Sequence, residues 1–390
     1  MCKTLINSLQ SIINPNFIKL EKFYGNLLNL IDNIHYLIHK KLIHNLFSRY
    51  LIEWNRTENK RKMPWKGIKD PYRIWLSEVI LQQTRVDQGL RYYENFVHNF
   101  PSIHDLAKAD EQRVFKLWEG LGYYSRCKNL IHTARKVSFE LGGHFPDTYG
   151  AILQLKGIGP YTAAAIASFA FNQPHAVIDG NVFRVLARVF GIREPVDTTG
   201  GKKIITALAQ QLLDKKKPGT YNQAIMDFGA TVCKPANPGC EQCPFRAHCV
   251  AYKEDIIELL PAKTKKTTVR VRYFYFFIPV YRAAVPVRER LDKDIWQHLY
   301  EFPLIEKAAD IPPAEVIRLA IGKGWLNKNT KTEVSPVSAQ KLSHQLIKAV
   351  FISYRLTENP GSFENYRWVK TAALKTLPFP RTITQHLHKF

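Results

Sequence analysis

Leu155-Lys156-Gly157-Ile158-Gly159-Pro160-Tyr161-Thr162-Ala163-Ala164-Ala165-Ile166-Ala167-Ser168-Phe169-Ala170-Phe171 is the stretch on which the fold turns. Two glycines separated by one residue allow a sharp bend, Pro160 suits the first position of a helix, and the Ala-rich run that follows favours helix. A helix begun in this way presents unsatisfied backbone N–H groups and the positive end of its dipole, which together suit a phosphate. The same residues describe an ordinary tight turn between two core helices equally well. The surrounding sequence has to choose between the two.

Upstream, Ser77 to Phe100 predicts one helix, with Val86, Leu90, Tyr93 and Val97 at helical spacing and Phe100-Pro101 as its stop. Asp110 is a candidate cap for the next helix, which the glycines at 120 and 122 end. Ser125 to Leu141 follows with Leu130, Ala134 and Val137 facing inward, and a further helix starting at Asp147 leads into the hairpin. Downstream, the extended piece Ala176-Val177-Ile178 meets Asp179-Gly180-Asn181, and a helix then places Val182, Val185, Leu186 and Val189 on one face before Gly191. From Asn45 to Pro261 the chain therefore reads as a helical domain, here bounded at 44–261.

Ala262-Lys263-Thr264-Lys265-Lys266-Thr267-Thr268 is polar and basic and reads as a linker over 262–269. Beyond it the period changes. Val269 to Val280 and Leu346 to Tyr354 are β-branched and aromatic, so 270–390 is expected to form a smaller α+β domain. Residues 1–43 are rich in Asn, Ile, Leu and Lys without a sustained helical stripe, and they form an extension of unassigned role: a loose helix pair, a disordered leader or sequence upstream of the true start.

Lys and Arg number 56 against 33 Asp and Glu in 390 residues, a formal charge of +23 spread along the chain. A polyanionic partner explains such an excess, and a basic surface without a partner is the plainer alternative. No apolar run approaches the roughly 20 residues of a membrane-spanning helix, and the first residues carry no compact apolar core of a secretion signal. The expectation is a cytoplasmic protein with no membrane partner, nucleoid-associated in a bacterium.

Four of the six cysteines, Cys233, Cys240, Cys243 and Cys249, stand at the spacing C-x6-C-x2-C-x5-C. Such a cluster in a reducing compartment suits metal rather than disulfides. An iron–sulfur cluster is favoured over zinc, because zinc sites pair two C-x2-C knuckles and only Cys240 and Cys243 form one here. Lys234, Arg246 and His248 make the loop basic, so a stapled loop could meet DNA phosphates. Cys2 and Cys127 read as free thiols.

Two carboxylates stand in contrasting contexts. Glu78 lies among apolar residues in Trp75-Leu76-Ser77-Glu78-Val79-Ile80-Leu81, where desolvation would let it hold a proton and donate it. Asp179 stands at a helix start, where the dipole favours the ionised form. Carboxyls held in opposite states serve glycosidic cleavage through an oxocarbenium-like transition state. Each also has a structural reading: Glu78 as a partner of Arg73 or Arg85, Asp179 as an N-cap.

The hairpin, Val177-Ile178-Asp179-Gly180-Asn181-Val182 about 20 residues after it, and the four-cysteine loop together resemble the helix-hairpin-helix, iron–sulfur DNA glycosylases related to endonuclease III, over roughly Phe47 to Val250. Ser77-Glu78-Val79-Ile80-Leu81-Gln82-Gln83-Thr84 and Gly120-Leu121-Gly122-Tyr123-Tyr124-Ser125-Arg126 resemble the catalytic-glutamate and lesion-reading segments of adenine glycosylases of the MutY type. Tyr161 stands where bifunctional relatives carry a nucleophilic lysine, so no Schiff base forms at that position, and Lys156 precedes the glycines and does not replace it.

The resemblance implies a monomer acting on double-stranded DNA with adenine opposite 8-oxoguanine or guanine, and a [4Fe-4S] cluster on Cys233, Cys240, Cys243 and Cys249. It implies that the adenine is flipped out of the stack. Glu78 then protonates its N7, Asp179 stabilises or traps the sugar cation, and Tyr161 and Asn181 support that step. Gly157 and Gly159 hold phosphate, and Gln83 and Tyr123, with Leu121 nearby, face the opposing base. Arg61, Met63, Trp65 and Lys66 line the adenine side, Lys66 standing where the family often has arginine. Trp296-Gln297-His298-Leu299-Tyr300-Glu301-Phe302-Pro303 resembles a stretch of Nudix-type folds without their glutamate-rich metal box, so no nucleotide hydrolysis is expected. Leu342-Ser343-His344 matches a Phe-Ser-His loop that recognises 8-oxoguanine, keeping Ser343 and His344 and lacking the aromatic; an ordinary exposed turn is the alternative.

Overall fold

The computed structural model describes residues 46–264, 269–358 and 361–388. The extension at 1–43 and residues 265–268 of the linker lie outside these residues. By contact the described chain divides into two compact units, residues 46–66 with 167–264, and residues 67–166 with the described part of 265–390. Among the described residues no helix is long and apolar enough to cross a membrane.

The first unit is helical. A helix over residues 46–57 packs Phe47, Leu51 and Trp54 against the Gly180–Phe190 and Pro218–Thr231 helices. Val182, Val185, Leu186 and Val189 form the buried face their spacing predicts, and Gly191 ends that helix at φ +65°. Phe245 stacks on Phe47 at 4.7 Å and meets Phe228 edge-on at 5.3 Å, so the cysteine loop is rooted in this core. Buried Asn222 accepts from the Val177 amide (3.1 Å) and donates to Ser168 Oγ and the His175 carbonyl. These bonds fix the extended segment that delivers Asp179, because a strand without a sheet must satisfy its backbone on side chains.

In the second unit, the single helix predicted over Ser77 to Phe100 is two, Pro71–Leu81 and Val86–Asn99. Apolar periodicity continues across the gap, but Gln83 is left-handed at φ +55° and Thr84 N–H returns to the Leu81 carbonyl, which ends the first helix. Asp110 caps the Glu111–Trp118 helix by accepting from the Arg113 amide at 3.1 Å. The Tyr124–Arg135 helix runs on as a π turn to Glu140, burying Leu130, Ala134 and Val137. The short Tyr149–Leu153 helix is capped by Thr148, one residue beyond the expected Asp147.

The C-terminal part is α+β, as the change of period predicts. Its strands are β1 (Arg270–Val280), β2 (Ala284–Glu289), β3 (Tyr300–Glu301), β4 (Leu304–Lys307), β5 (Thr332–Val334), β6 (Ser338–Lys341), β7 (Gln345–Arg355) and β8 (Arg367–Lys370). One sheet runs β4-β1-β7-β5 with β6 also on β7, a second runs β3-β2-β8, and β1 and β7 are parallel. Tyr275, Phe277, Val350 and Ile352 from β1 and β7 pack under the Pro313–Gly322 helix through Val316 and Ala320.

Candidate functional site

The residues singled out by sequence fall into four local groups. In the hairpin, Gly157 adopts φ +79°, and a Cβ there would lie 2.6 Å from the Asn129 side chain, so both backbone and space demand glycine. Gly159 differs from the expectation that both glycines make the bend: a Cβ there would meet nothing within 4 Å. What Gly159 provides is an open approach to the N-terminus of the Pro160–Phe171 helix. Thr133 Oγ1 donates to the Lys156 carbonyl (2.8 Å) and anchors the turn from below.

Tyr161, the second residue of that helix, donates its hydroxyl to Glu78 Oε2 at 2.6 Å. Glu78 is buried at 5% exposure in the Pro71–Leu81 helix, among Trp75, Leu76, Val79 and Ile80. Arg73, a candidate partner by sequence, lies 3.6 Å from Asp70. The chain thus joins a buried carboxyl to a phenol 83 positions away.

Asp179 caps the Gly180–Phe190 helix: Oδ1 accepts from the Val182 amide (2.8 Å) and Oδ2 from Asn181 Nδ2 (2.6 Å). The helix dipole alone predicts a lowered carboxyl. Burial instead raises Asp179 above its ordinary value, outweighing the Val182 amide, Asn181 and the Arg184 charge, which all lower it. Arg184 donates to Asn181 Oδ1 (2.7 Å), to the Gly229 carbonyl (2.7 Å) and, through Nε, to the Cys233 carbonyl (2.7 Å). A continuous chain of hydrogen bonds therefore leads from Asp179 through Asn181 and Arg184 to the cysteine loop.

All four cysteines line one small pocket with Arg188, Val232, Pro238 and Gly239. Arg188 is buried and donates to the Lys234 carbonyl (2.7 Å), the Pro235 carbonyl (3.1 Å) and Cys233 Sγ (3.7 Å). Burial pushes the Cys243 thiol up to about 12 and raises Cys240 and Cys249 as well. Among the described residues no three His, Cys, Asp or Glu side chains converge on a single-ion site. Cys127 is a free, fully buried thiol, as expected.

The basic loop is organised by a residue that sequence reading missed. Asp227, fully buried, accepts from Arg61 Nη1 (2.8 Å), Lys66 Nζ (3.0 Å), Asn59 Nδ2 (2.9 Å) and Gln223 Nε2 (3.1 Å). Lys66 also donates to the Arg61 carbonyl, closing the loop on itself; Trp65 is buried and Met63 half-buried. Asp227→Asn leaves two cations without their carboxylate. It is expected to lower unfolding free energy by about 3 kcal/mol, seen as a lower urea midpoint at unchanged slope; an unmoved midpoint would show the cations satisfied by water.

The fourth group surrounds a cavity of about 560 Å³ lined by Gln83, Leu121, Tyr123, Trp296, Ser343 and His344, among others. Gln83 and Tyr123 are exposed and left-handed, at φ +55° and +49°, whereas Leu121 is buried. Ser343 and His344 form the exposed turn between β6 and β7, and the Ser343 hydroxyl is hydrogen-bonded to that of Tyr123. The turn is thus exposed and also joined to the Gly120–Tyr123 segment.

Three charged residues that the sequence reading left aside were legible in part. Arg184 and Arg188 repeat at i, i+4 in an otherwise apolar helix, and Asp227 interrupts Ala224-Ile225-Met226 and Phe228. A charge inside an apolar run signals a buried partner, though not which one.

A family model described as the HhH-GPD superfamily base excision DNA repair protein matches residues 76–216. An adenine DNA glycosylase from Buchnera aphidicola subsp. Schizaphis graminum is 34% identical over 258 residues, 66% of this chain and 74% of that protein. The human adenine DNA glycosylase is 46% identical over 53% of this chain and 39% of its own length. Among solved structures, a thermostable thymine-DNA glycosylase superposes with a TM-score of 0.51 at 30% identity, over 55% of this chain and 99% of its own. With that degree of identity over three quarters of a relative, and a glycosylase fold across the helical part, the chain belongs to the adenine DNA glycosylases of the HhH-GPD superfamily.

Proposed function

We propose that the chain is a monofunctional glycosylase that hydrolyses the N-glycosidic bond of adenine mispaired with 8-oxoguanine, and less readily guanine, in duplex DNA. The observation that carries this reading is the hydrogen bond from Tyr161 to Glu78. The position after the hairpin holds a phenol already engaged with the buried carboxyl, where a lyase requires a free amine.

In the proposed reaction Glu78, with Oε2 held by Tyr161, delivers a proton to N7 of the flipped adenine. The C1′–N9 bond breaks with its electron pair leaving on the base, and carboxylate Asp179, oriented by Asn181, stabilises the cationic sugar. Water adds at C1′ and its proton passes to the Glu78 carboxylate, which restores the acid. Gly157 and Gly159 present the hairpin amides to phosphate, and Arg61, Met63, Trp65 and Lys66 flank the adenine. Lys66 meets Asp227 as a point charge, which a planar arginine fork would not.

Cys233, Cys240, Cys243 and Cys249 would hold a [4Fe-4S] cluster. Their common pocket and irregular spacing support this, and bound there the cluster supplies a cross-link that fixes the 233–249 loop. The proposed organisation is a glycosylase domain over 44–261, a linker over 262–269 and a Nudix-like lesion-recognition domain over 270–390 that uses Ser343 and His344. The protein acts as a monomer on cytoplasmic or nucleoid DNA.

Single-turnover assays on duplexes with adenine opposite 8-oxoguanine, guanine and thymine test the reading. Release should be fastest opposite 8-oxoguanine and absent opposite thymine, with strand breaks only after alkali. Borohydride trapping of a covalent protein–DNA adduct in stoichiometric yield would replace it with a lyase. The purified protein should be brown with absorbance near roughly 400 nm, and Cys243→Ser should bleach it.

A further inference from the structure

Arg126 has no part in the mechanism above, yet it is among the most heavily engaged side chains of the second unit. Its Nη1 is shared among the carbonyls of Val79 (2.9 Å), Ile80 (3.3 Å) and Gln82 (2.5 Å), and its Nη2 points to the Gly122 carbonyl at 3.4 Å. The guanidinium lies 5.4 Å from the Trp118 ring centre and 5.2 Å from that of Tyr123. Burial pulls it down to about 10, which leaves it a cation at neutral pH.

Gln82 and Gly122 immediately precede Gln83 and Tyr123, which are left-handed, as Trp296 also is, and line the cavity with Ser343. A left-handed backbone is unfavourable for a residue with a Cβ and persists only where its surroundings impose it. Here one guanidinium reaches the carbonyl on the N-terminal side of each, and the Gly122 carbonyl also accepts from Trp118 Nε1 at 3.0 Å, the indole on which the guanidinium lies. A planar fork can reach two loops at once, whereas an ammonium reaches as a single point.

We propose that Arg126 is a positioning residue for opposite-base discrimination: by clamping the peptides before Gln83 and Tyr123 together, it fixes both tips against the base facing the adenine. This rests on the reading of the substrate given above. Because Val79 and Ile80 belong to the helix of Glu78, a role exerted through Glu78, or through stability alone, would slow every mispair alike. A role in discrimination changes the ratio.

The full chain with Arg126→Lys, and Arg126→Met as a second variant, is assayed under single turnover at saturating enzyme on adenine opposite 8-oxoguanine and opposite guanine. Amide hydrogen exchange is followed on the free protein. The preference for 8-oxoguanine should fall by about tenfold or more, with the rate opposite guanine within about threefold of the parent. Exchange should quicken together at 82–84 and 121–123 and stay unchanged at 155–160. An equal fall on both mispairs, an unchanged ratio, or quickening of only one segment overturns the proposal. A parent protein without preference for 8-oxoguanine removes the substrate reading and the proposal with it, whereas a parent with that preference whose variants retain it removes the proposal alone.

Discussion

Glu78→Gln is expected to slow single-turnover adenine release by about 10²–10⁴-fold while leaving DNA affinity nearly unchanged. The amide keeps the size of the side chain and can still accept from Tyr161, so the Pro71–Leu81 helix has no reason to repack. What it loses is the acidic proton. Tyr161→Phe separates positioning from chemistry: it removes the 2.6 Å hydrogen bond but leaves the acid. A hydrogen bond between neutral groups is worth about 0.5–1.5 kcal/mol, so this variant should slow release by about 2- to 10-fold, less than Glu78→Gln. Full activity in the Glu78 variant would end its assignment as the acid. Equal losses in the two would mean that the phenol does more than hold the carboxyl.

The parts of this site that sequence made visible are those whose cause is local. Gly157, Pro160 and the alanines after it dictate a turn and a helix within a few residues, and Asp179 announces a helix start because an N-cap needs only its next few amides. The change from a period of 3.6 to one of 2 near Val269 likewise marks β1 without any knowledge of its partners. What stayed hidden depends on contacts distant in sequence. The break at Gln83 interrupts a run whose apolar spacing is continuous, and the carbonyls around it are held by Arg126, 44 residues beyond Gln82. Asp227 meets Arg61 from 166 residues away, so nothing within the Arg61–Lys66 stretch, expected to line the adenine side, signals the buried counter-charge that organises it. The upward shift of Asp179 has the same origin. The favourable dipole is local and legible, while the burial that overrides it is supplied by the fold.

That shift yields the second large effect. Asp179→Asn should slow excision by about 10²–10³-fold or more, because in the proposed reaction the carboxylate stabilises the sugar cation. The same substitution should make the protein more stable at neutral pH. A carboxyl raised on folding binds its proton more tightly in the native state than in the unfolded one, so stability falls as pH rises from the unfolded value through the folded one. The cost of ionising Asp179 is therefore absent below its ordinary value of 3.8 and complete above the raised native value. Asparagine carries no such cost and caps a helix about as well as aspartate, so the Val182 amide keeps an acceptor. The variant should melt above the parent at pH 7, and the difference should shrink as pH falls toward 3.8 and below. A variant that melts lower at pH 7 would mean that the bond from Asn181 and the attraction of Arg184 outweigh burial, and that the carboxylate is held in place by stabilising contacts. A variant that melts higher while excision is lost would show the opposite: the fold carries an unfavourable buried charge at this position because the chemistry requires one there.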